Sequence, residues 1–191
     1  MRDLPGLLYL LLPLLGGAVA SGLCIRFGWL RALARPIDGG RTLGGRPIFG
    51  PNKTLRGVLA VVIGNTLVLG LQSAALHYAP AIRRVELFDY GMVNGWLVGL
   101  AVGTLAALAE LPNSFLKRRL NIPAGQSGQG AMRALFYFVD QVDILAGVWL
   151  AYSLVVDVTL WRVVLSVGLI FVLHQAVTLI GGGLGMRPTP T

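Results

Sequence analysis

One cysteine, Cys24, is present in 191 residues. A single thiol excludes an intramolecular disulfide and any cysteine-rich metal site. Its place in an apolar run reads as inert packing. Acids are scarce as well, with 8 Asp+Glu against 16 Lys+Arg, a formal charge of +8. Charged residues make up 13% of the chain, where a soluble domain averages about 25%. With a mean hydropathy of +0.72, the composition points to an integral membrane protein, and the length to one membrane domain spanning residues 1–191. The pI near 10.6 raises nucleic acid as a partner. In so apolar a chain, basic loops meet lipid head groups or a phosphorylated ligand instead, so no nucleic-acid partner is expected. The G-x-x-x-x-G-K-[ST] order is missing, which excludes a P-loop NTPase. No Ser/His/Asp or Cys/His arrangement for nucleophilic catalysis is visible, and no repeat of fixed period.

What is present is five apolar runs. They predict an all-α polytopic fold, a bundle of five transmembrane helices over about 4–25, 58–78, 90–109, 134–156 and 160–180, each near the roughly 20 residues that a span needs. Ala18-Val-Ala20 resembles a signal-peptidase site, but the first run is read as a span. The third run carries Gly95, Gly99 and Gly103, a small-residue stripe suited to close packing inside the bundle. Two substantial polar loops, 26–57 and 110–133, separate the runs. They hold seven and four basic residues, and Arg187 adds one in the tail. The alternate connections hold Arg2, then Arg83 and Arg84, then Arg162. The positive-inside rule puts both large loops and the C-terminus in the cytoplasm and the N-terminus outside. The expected location is a cell membrane, crossed several times.

The first loop contains residues 39–57, with six glycines, two prolines, four basic residues and no acid. Glycine allows backbone N–H groups to approach a bound group. Arg41, Arg46, Lys53 and Arg56 add positive charge, a combination suited to a phosphate-rich anion. The plainer account is a basic loop that only sets topology. The second loop holds Leu111-Pro-Asn-Ser-Phe-Leu-Lys-Arg-Arg119, where Lys117, Arg118 and Arg119 bind phosphate or serve only as topological charge. Residues 126–130 read as a flexible segment.

The few acids carry the chemistry. Asp140 and Asp143 fall in the first turns of the fourth run, three residues apart and so on one helical face. Two like charges there repel, and a divalent cation would remove the repulsion. Hard oxygen ligands beside phosphate favour Mg²⁺. Glu110 is expected at the C-terminal end of the third helix, where the dipole disfavours a carboxylate. It calls for a metal or a loop arginine. Asp38, Glu86, Asp89 and Asp157 read as solvated loop acids. Asn65 lines the site or pairs within the bundle. His174 reads as an interior histidine and His77 as an interfacial one. A site with no protein nucleophile fits phosphoryl or nucleotidyl transfer, where the substrate phosphate is the nucleophile and the protein positions and neutralises charge.

Gly50-Pro-Asn-Lys-Thr-Leu-Arg-Gly57, Leu111 to Arg119 with Asn121-Ile-Pro-Ala-Gly125, and Asp140-Gln-Val-Asp143 together resemble the CDP-archaeol synthase family, archaeal membrane enzymes related to bacterial CDP-diacylglycerol synthases. The likeness covers nearly the whole chain. It implies a Mg²⁺-dependent cytidylyltransferase in membrane phospholipid biosynthesis. CMP passes from CTP to an archaeal ether-lipid phosphate, di-O-geranylgeranylglyceryl phosphate, giving CDP-archaeol and pyrophosphate. On that reading Asp140 and Asp143 hold the metal, with Glu110 a third candidate. Lys53 and Arg56 neutralise the triphosphate with backbone donors near Gly50 and Asn52. Lys117, Arg118 and Arg119 bind the lipid phosphate or the leaving pyrophosphate. Asn113, Ser114 and Thr54 are the polar candidates for reading the base. CTP, the lipid phosphate and membrane lipids are the partners, and the sequence leaves oligomeric state open. The alternatives weighed are a CDP-alcohol phosphotransferase-like lipid enzyme, whose longer aspartate signature is absent, and a non-enzymatic transporter, whose ionisable residues would line a path across the bilayer.

Overall fold

The computed structural model describes residues 3–183. Arg2, Arg187 and the side chains of His77 and His174 lie outside the described residues. Five helices carry the chain: α1 Asp3–Arg26, α2 Leu55–Tyr78, α3 Gly95–Arg119, α4 Gly130–Tyr152 and α5 Leu160–Gly183. Among the described residues, α1 to α4 are each long and apolar enough to cross a membrane, and α5 is apolar over Leu160–Leu173. A helix of 24 residues is about 36 Å long at 1.5 Å per residue, against a hydrocarbon core of about 30 Å.

Each of α1 to α4 packs against the next, and α5 closes the bundle against α1 and α4. Lipid tails are as apolar as leucine, so burial alone does not join helices in a bilayer. Small residues that permit backbone approach do. Gly95, Gly99 and Gly103 of α3 lie against Leu69, Thr66 and Val62 of α2, and Gly147 of α4 lies against Leu105 of α3. The glycine stripe is therefore an internal seam, as expected. Asn65 is fully buried on this seam, where its amide donates to the Val61 carbonyl at 2.8 Å. It packs within the bundle and does not line the cavity described below. The largest buried side chains, Leu7, Leu10, Leu11, Leu69, Tyr90, Leu145 and Tyr152, gather toward the face that carries the N-terminus of α1. Tyr152 there donates to the Leu10 carbonyl at 2.8 Å.

Several helix boundaries differ from the sequence reading, and those of α3 and the start of α4 matter most. The third helix does not end near 109. It continues through Pro112 to Arg119, so Glu110 sits inside a helix and is removed from the C-terminal dipole. Pro112 removes one backbone donor, and such breaks are tolerated in membrane helices because neighbours re-satisfy the freed groups. The basic run Lys117, Arg118, Arg119 then occupies the last turn, where the dipole favours cations. The same helix begins at Gly95, not near 90, with the Asn94 side chain accepting from Trp96 and Leu97 N–H. Finally, α4 begins at Gly130. Asp140 and Asp143 thus lie well inside it, beyond its first turns.

Candidate active site

Loop one is an ordered Ω-shaped excursion. Its base is pinned by Ile37 N–H to the Lys53 carbonyl at 2.9 Å and Leu55 N–H to the Arg35 carbonyl at 3.1 Å. At its tip, Thr42–Leu43 and Arg46–Pro47 form a two-stranded hairpin, β1 and β2. Gly44 and Gly45 turn it with φ of 57° and 74°, the left-handed pair that a two-residue hairpin turn requires. Asp38 is not a solvated acid. Its carboxylate accepts from the N–H groups of Gly40 at 2.9 Å, Phe49 at 2.9 Å and Gly50 at 3.2 Å. Desolvation would raise its pKa, but these backbone donors outweigh that and hold it below the usual aspartate value. The loop closes at Thr54, whose hydroxyl accepts from Gly57 N–H at 3.1 Å and caps α2.

The C-terminus of α3 is set as firmly. Asn121 takes φ 58°. Its N–H bonds the Arg118 carbonyl at 3.3 Å, and Ile122 N–H bonds the Lys117 carbonyl at 2.9 Å. This is the paired closure that ends a helix on a left-handed residue, with Ile122 buried beneath it. It fixes where Lys117 and Arg118 point.

These elements enclose a cavity of about 410 Å³. Loop one contributes Phe49, Asn52 and Lys53 to its wall, α3 contributes Glu110, Asn113, Ser114, Lys117 and Arg118, and α4 contributes Asp140 and Asp143. The Asn113 amide nitrogen donates to both aspartates, to Asp140 Oδ1 at 2.7 Å and to Asp143 Oδ2 at 2.8 Å. Lys117 Nζ meets both Asp140 oxygens at 2.5 and 2.6 Å, with its ammonium 5.5 Å over the Phe136 ring. Lys53 pairs with Glu110 across the loop–helix junction. Arg118 is only 8% exposed, and its Nε has no partner. No carboxylate pairs with it among the described residues, although three line the same cavity, and a buried guanidinium without an ion-pair partner is an anion-seeking group.

Nine of the thirteen residues expected at the site therefore line one cavity. Gly50, Thr54, Arg56 and Arg119 do not. Gly50 holds φ 97°, which favours glycine, and its N–H is already taken by Asp38. Arg119 donates to carbonyls of the hairpin instead. Two features escaped the sequence reading. Ser127, in the segment read as flexible, donates its hydroxyl to Asp140 Oδ2 at 3.2 Å. Gln141, between the two aspartates, is 3% exposed and lines the wall. A Gly/Ser segment lying between two charged motifs was the available signal for the first.

The three-carboxylate set of Asp140, Asp143 and Glu110 is not assembled: among the described residues no group of three His, Cys, Asp or Glu is placed to hold a metal ion. The two aspartates do meet, on one amide. The Asn113 Oδ1 atom, on the other arm of that amide, is buried and has no donor. Two carboxylates brought together on one amide are hard oxygen donors of the kind that suit a divalent cation.

A family model described as CDP-archaeol synthase, CarS-like, matches residues 6–190. The CDP-archaeol synthase of Methanoculleus marisnigri is 30% identical over 168 residues, 81% of this chain and 89% of that relative. That of Methanosphaerula palustris is 33% identical over 166 residues, with the same shares covered. A solved chain described as an intramembrane enzyme for archaeal membrane lipid biosynthesis aligns with a TM-score of 0.62 at 24% identity, over 90% of this chain and 91% of its own. At that identity the likeness is one of fold.

Proposed function

The chain belongs to the CDP-archaeol synthase family, and from that premise we propose that the cavity between α3, α4 and loop one is where CMP passes from CTP to an ether-lipid phosphate. The enzyme is a multi-pass membrane cytidylyltransferase of archaeal lipid synthesis. On this family footing the phosphotransferase and transporter alternatives fall away. The observation that carries the assignment is the Asn113 amide joining Asp140 and Asp143 inside a pocket lined by Lys53, Lys117 and Arg118.

The chemistry needs no protein nucleophile. A lipid phosphate oxygen attacks the α-phosphorus of CTP, a new P–O bond forms, and the bond to the bridging oxygen breaks as pyrophosphate leaves. Charge accumulates on phosphoryl oxygens throughout, so the protein's task is to hold two polyanions in line and neutralise them. Lys53 and Arg118 approach the cavity from loop one and α3 respectively and take the triphosphate between them. Lys117, held by Asp140 and the Phe136 ring, carries charge to the lipid phosphate or the pyrophosphate. Ser127 and Asn113 keep the carboxylates oriented. Asp140 and Asp143 are the residues that would hold Mg²⁺. Bound there, a divalent cation supplies Lewis-acid neutralisation of the phosphate oxygens. Glu110 is assigned to orient Lys53. The residues form one membrane domain, oriented with loop one and the short α3–α4 connection cytoplasmic and the N-terminus outside, on the strength of the basic-residue count.

The test is direct. Purified chain, Mg²⁺, labelled CTP and an ether-lipid phosphate are expected to yield a CMP-bearing lipid, and failure to form it removes the assignment. In the same assay Lys53→Met should raise the KM for CTP about tenfold or more, since a charge-assisted contact contributes about 1.5–3 kcal/mol and 1.4 kcal/mol is tenfold. An unchanged CTP dependence would return Lys53 to a topological role.

A further inference from the structure

Arg118 and Arg119 are adjacent, and about 100° separates successive side chains on a helix. Arg118 faces the cavity. Arg119 faces loop one, where its Nη atoms donate to the carbonyls of Leu43, Arg46 and Pro47 at 2.5 to 3.0 Å. Its guanidinium also stacks 5.0 Å from the Phe115 ring. Arg46 returns a bond from its own side chain to the Arg119 carbonyl, so the contact is reciprocal. On the other side of the loop, Asp38 gathers three N–H groups, among them those of Phe49 and Gly50. From these two anchors the chain runs directly on, through Phe49, to deliver Asn52 and Lys53 to the cavity wall.

We infer that Arg119 and Asp38 are positioning residues: Arg119 latches loop one to the end of α3, and Asp38 braces the loop on itself, so that Lys53 meets CTP. Arg119 serves by shape as much as charge. Three carbonyls are taken by one planar fork, which a lysine ammonium does not reproduce. The arginine therefore acts through Lys53 and touches neither substrate. The kinetic part of this inference rests on the cytidylyltransferase reading; the structural part does not.

The experiment uses the full chain in lipid nanodiscs, with Arg119→Gln, Arg119→Lys and Asp38→Asn compared with the parent. Two readouts are taken: backbone hydrogen exchange across residues 36–54, and steady-state kinetics with CTP varied. Both arginine variants should lose protection confined to that loop. They should raise KM for CTP about tenfold, as the loss of charge-assisted bonds implies, with kcat within about threefold. Asp38→Asn should reproduce the pattern from the opposite anchor, which keeps the test valid if an arginine variant fails to fold. Restoration of both protection and KM by lysine would overturn the inference, because charge alone would then suffice. Unchanged exchange over 36–54 in Arg119→Gln and Asp38→Asn would also overturn it. If the parent transfers no CMP, the functional reading fails, and the exchange data still judge the latch.

Discussion

Asp143→Asn is expected to lower CMP transfer on the order of a thousandfold or more while leaving the chain folded. The substitution is nearly isosteric, and the new side chain can still offer an oxygen to the Asn113 amide, which now reaches Asp143 Oδ2 at 2.8 Å. What disappears is one of the two carboxylate charges that meet on that amide. If those charges hold a divalent cation, several kcal/mol of Lewis-acid stabilisation goes with them, and about 1.36 kcal/mol is a factor of ten in rate. Thermal unfolding should move little, because the amide keeps its hydrogen bond. Turnover within a few-fold of the parent would remove Asp143 from the reaction and leave the pair as a structural element.

The second large effect concerns the frame. At Gly64 of α2, an added Cβ would fall on the carbonyl of Gly16 and the Cα of Gly17 in α1. These are backbone atoms, so no rotamer change relieves the clash, and the two helices must move apart. Gly64→Val should cost about 3 kcal/mol, at the upper end of usual overpacking penalties. That corresponds to a fall in Tm of roughly 6–12 °C for a chain of this size. Gly168 of α5 has open space where a Cβ would sit, so Gly168→Val is the matched control and should melt close to the parent. Equal melting of the two variants would mean that α1 and α2 do not cross as closely as described.

Much of this was legible in the residues, and the parts that were not share a cause. Apolar runs declare themselves locally, and so did the glycine seam, whose spacing of four repeats one helical face. The three charged motifs were visible as motifs. Leu111-Pro112 misled because proline followed by Asn113 and Ser114 has the local signature of a helix end. The helix persists because those polar side chains turn into a cavity that other segments complete. Asp38 misled for the same reason. Its partners Phe49 and Gly50 are eleven and twelve residues away, and nothing nearby announces them. Ser127 and the reassignment of Arg119 likewise depend on contacts across elements. Residue type told which groups could bind phosphate; only the three-dimensional arrangement told which of them are already occupied by the protein itself.

The unbroken α3 has a consequence for transport. Its 25 residues extend about 37 Å, beyond a hydrocarbon core of about 30 Å, and Glu110 to Arg118 lie toward its C-terminal end. On the proposed assignment, the reaction therefore takes place at the boundary between two solvents. The prenyl chains can remain in their leaflet and arrive by two-dimensional diffusion, while the nucleotide arrives, and pyrophosphate departs, through water. Diluting the lipid substrate with inert lipid at constant bulk concentration should then slow the reaction, because its mole fraction in the bilayer is the concentration that the enzyme experiences.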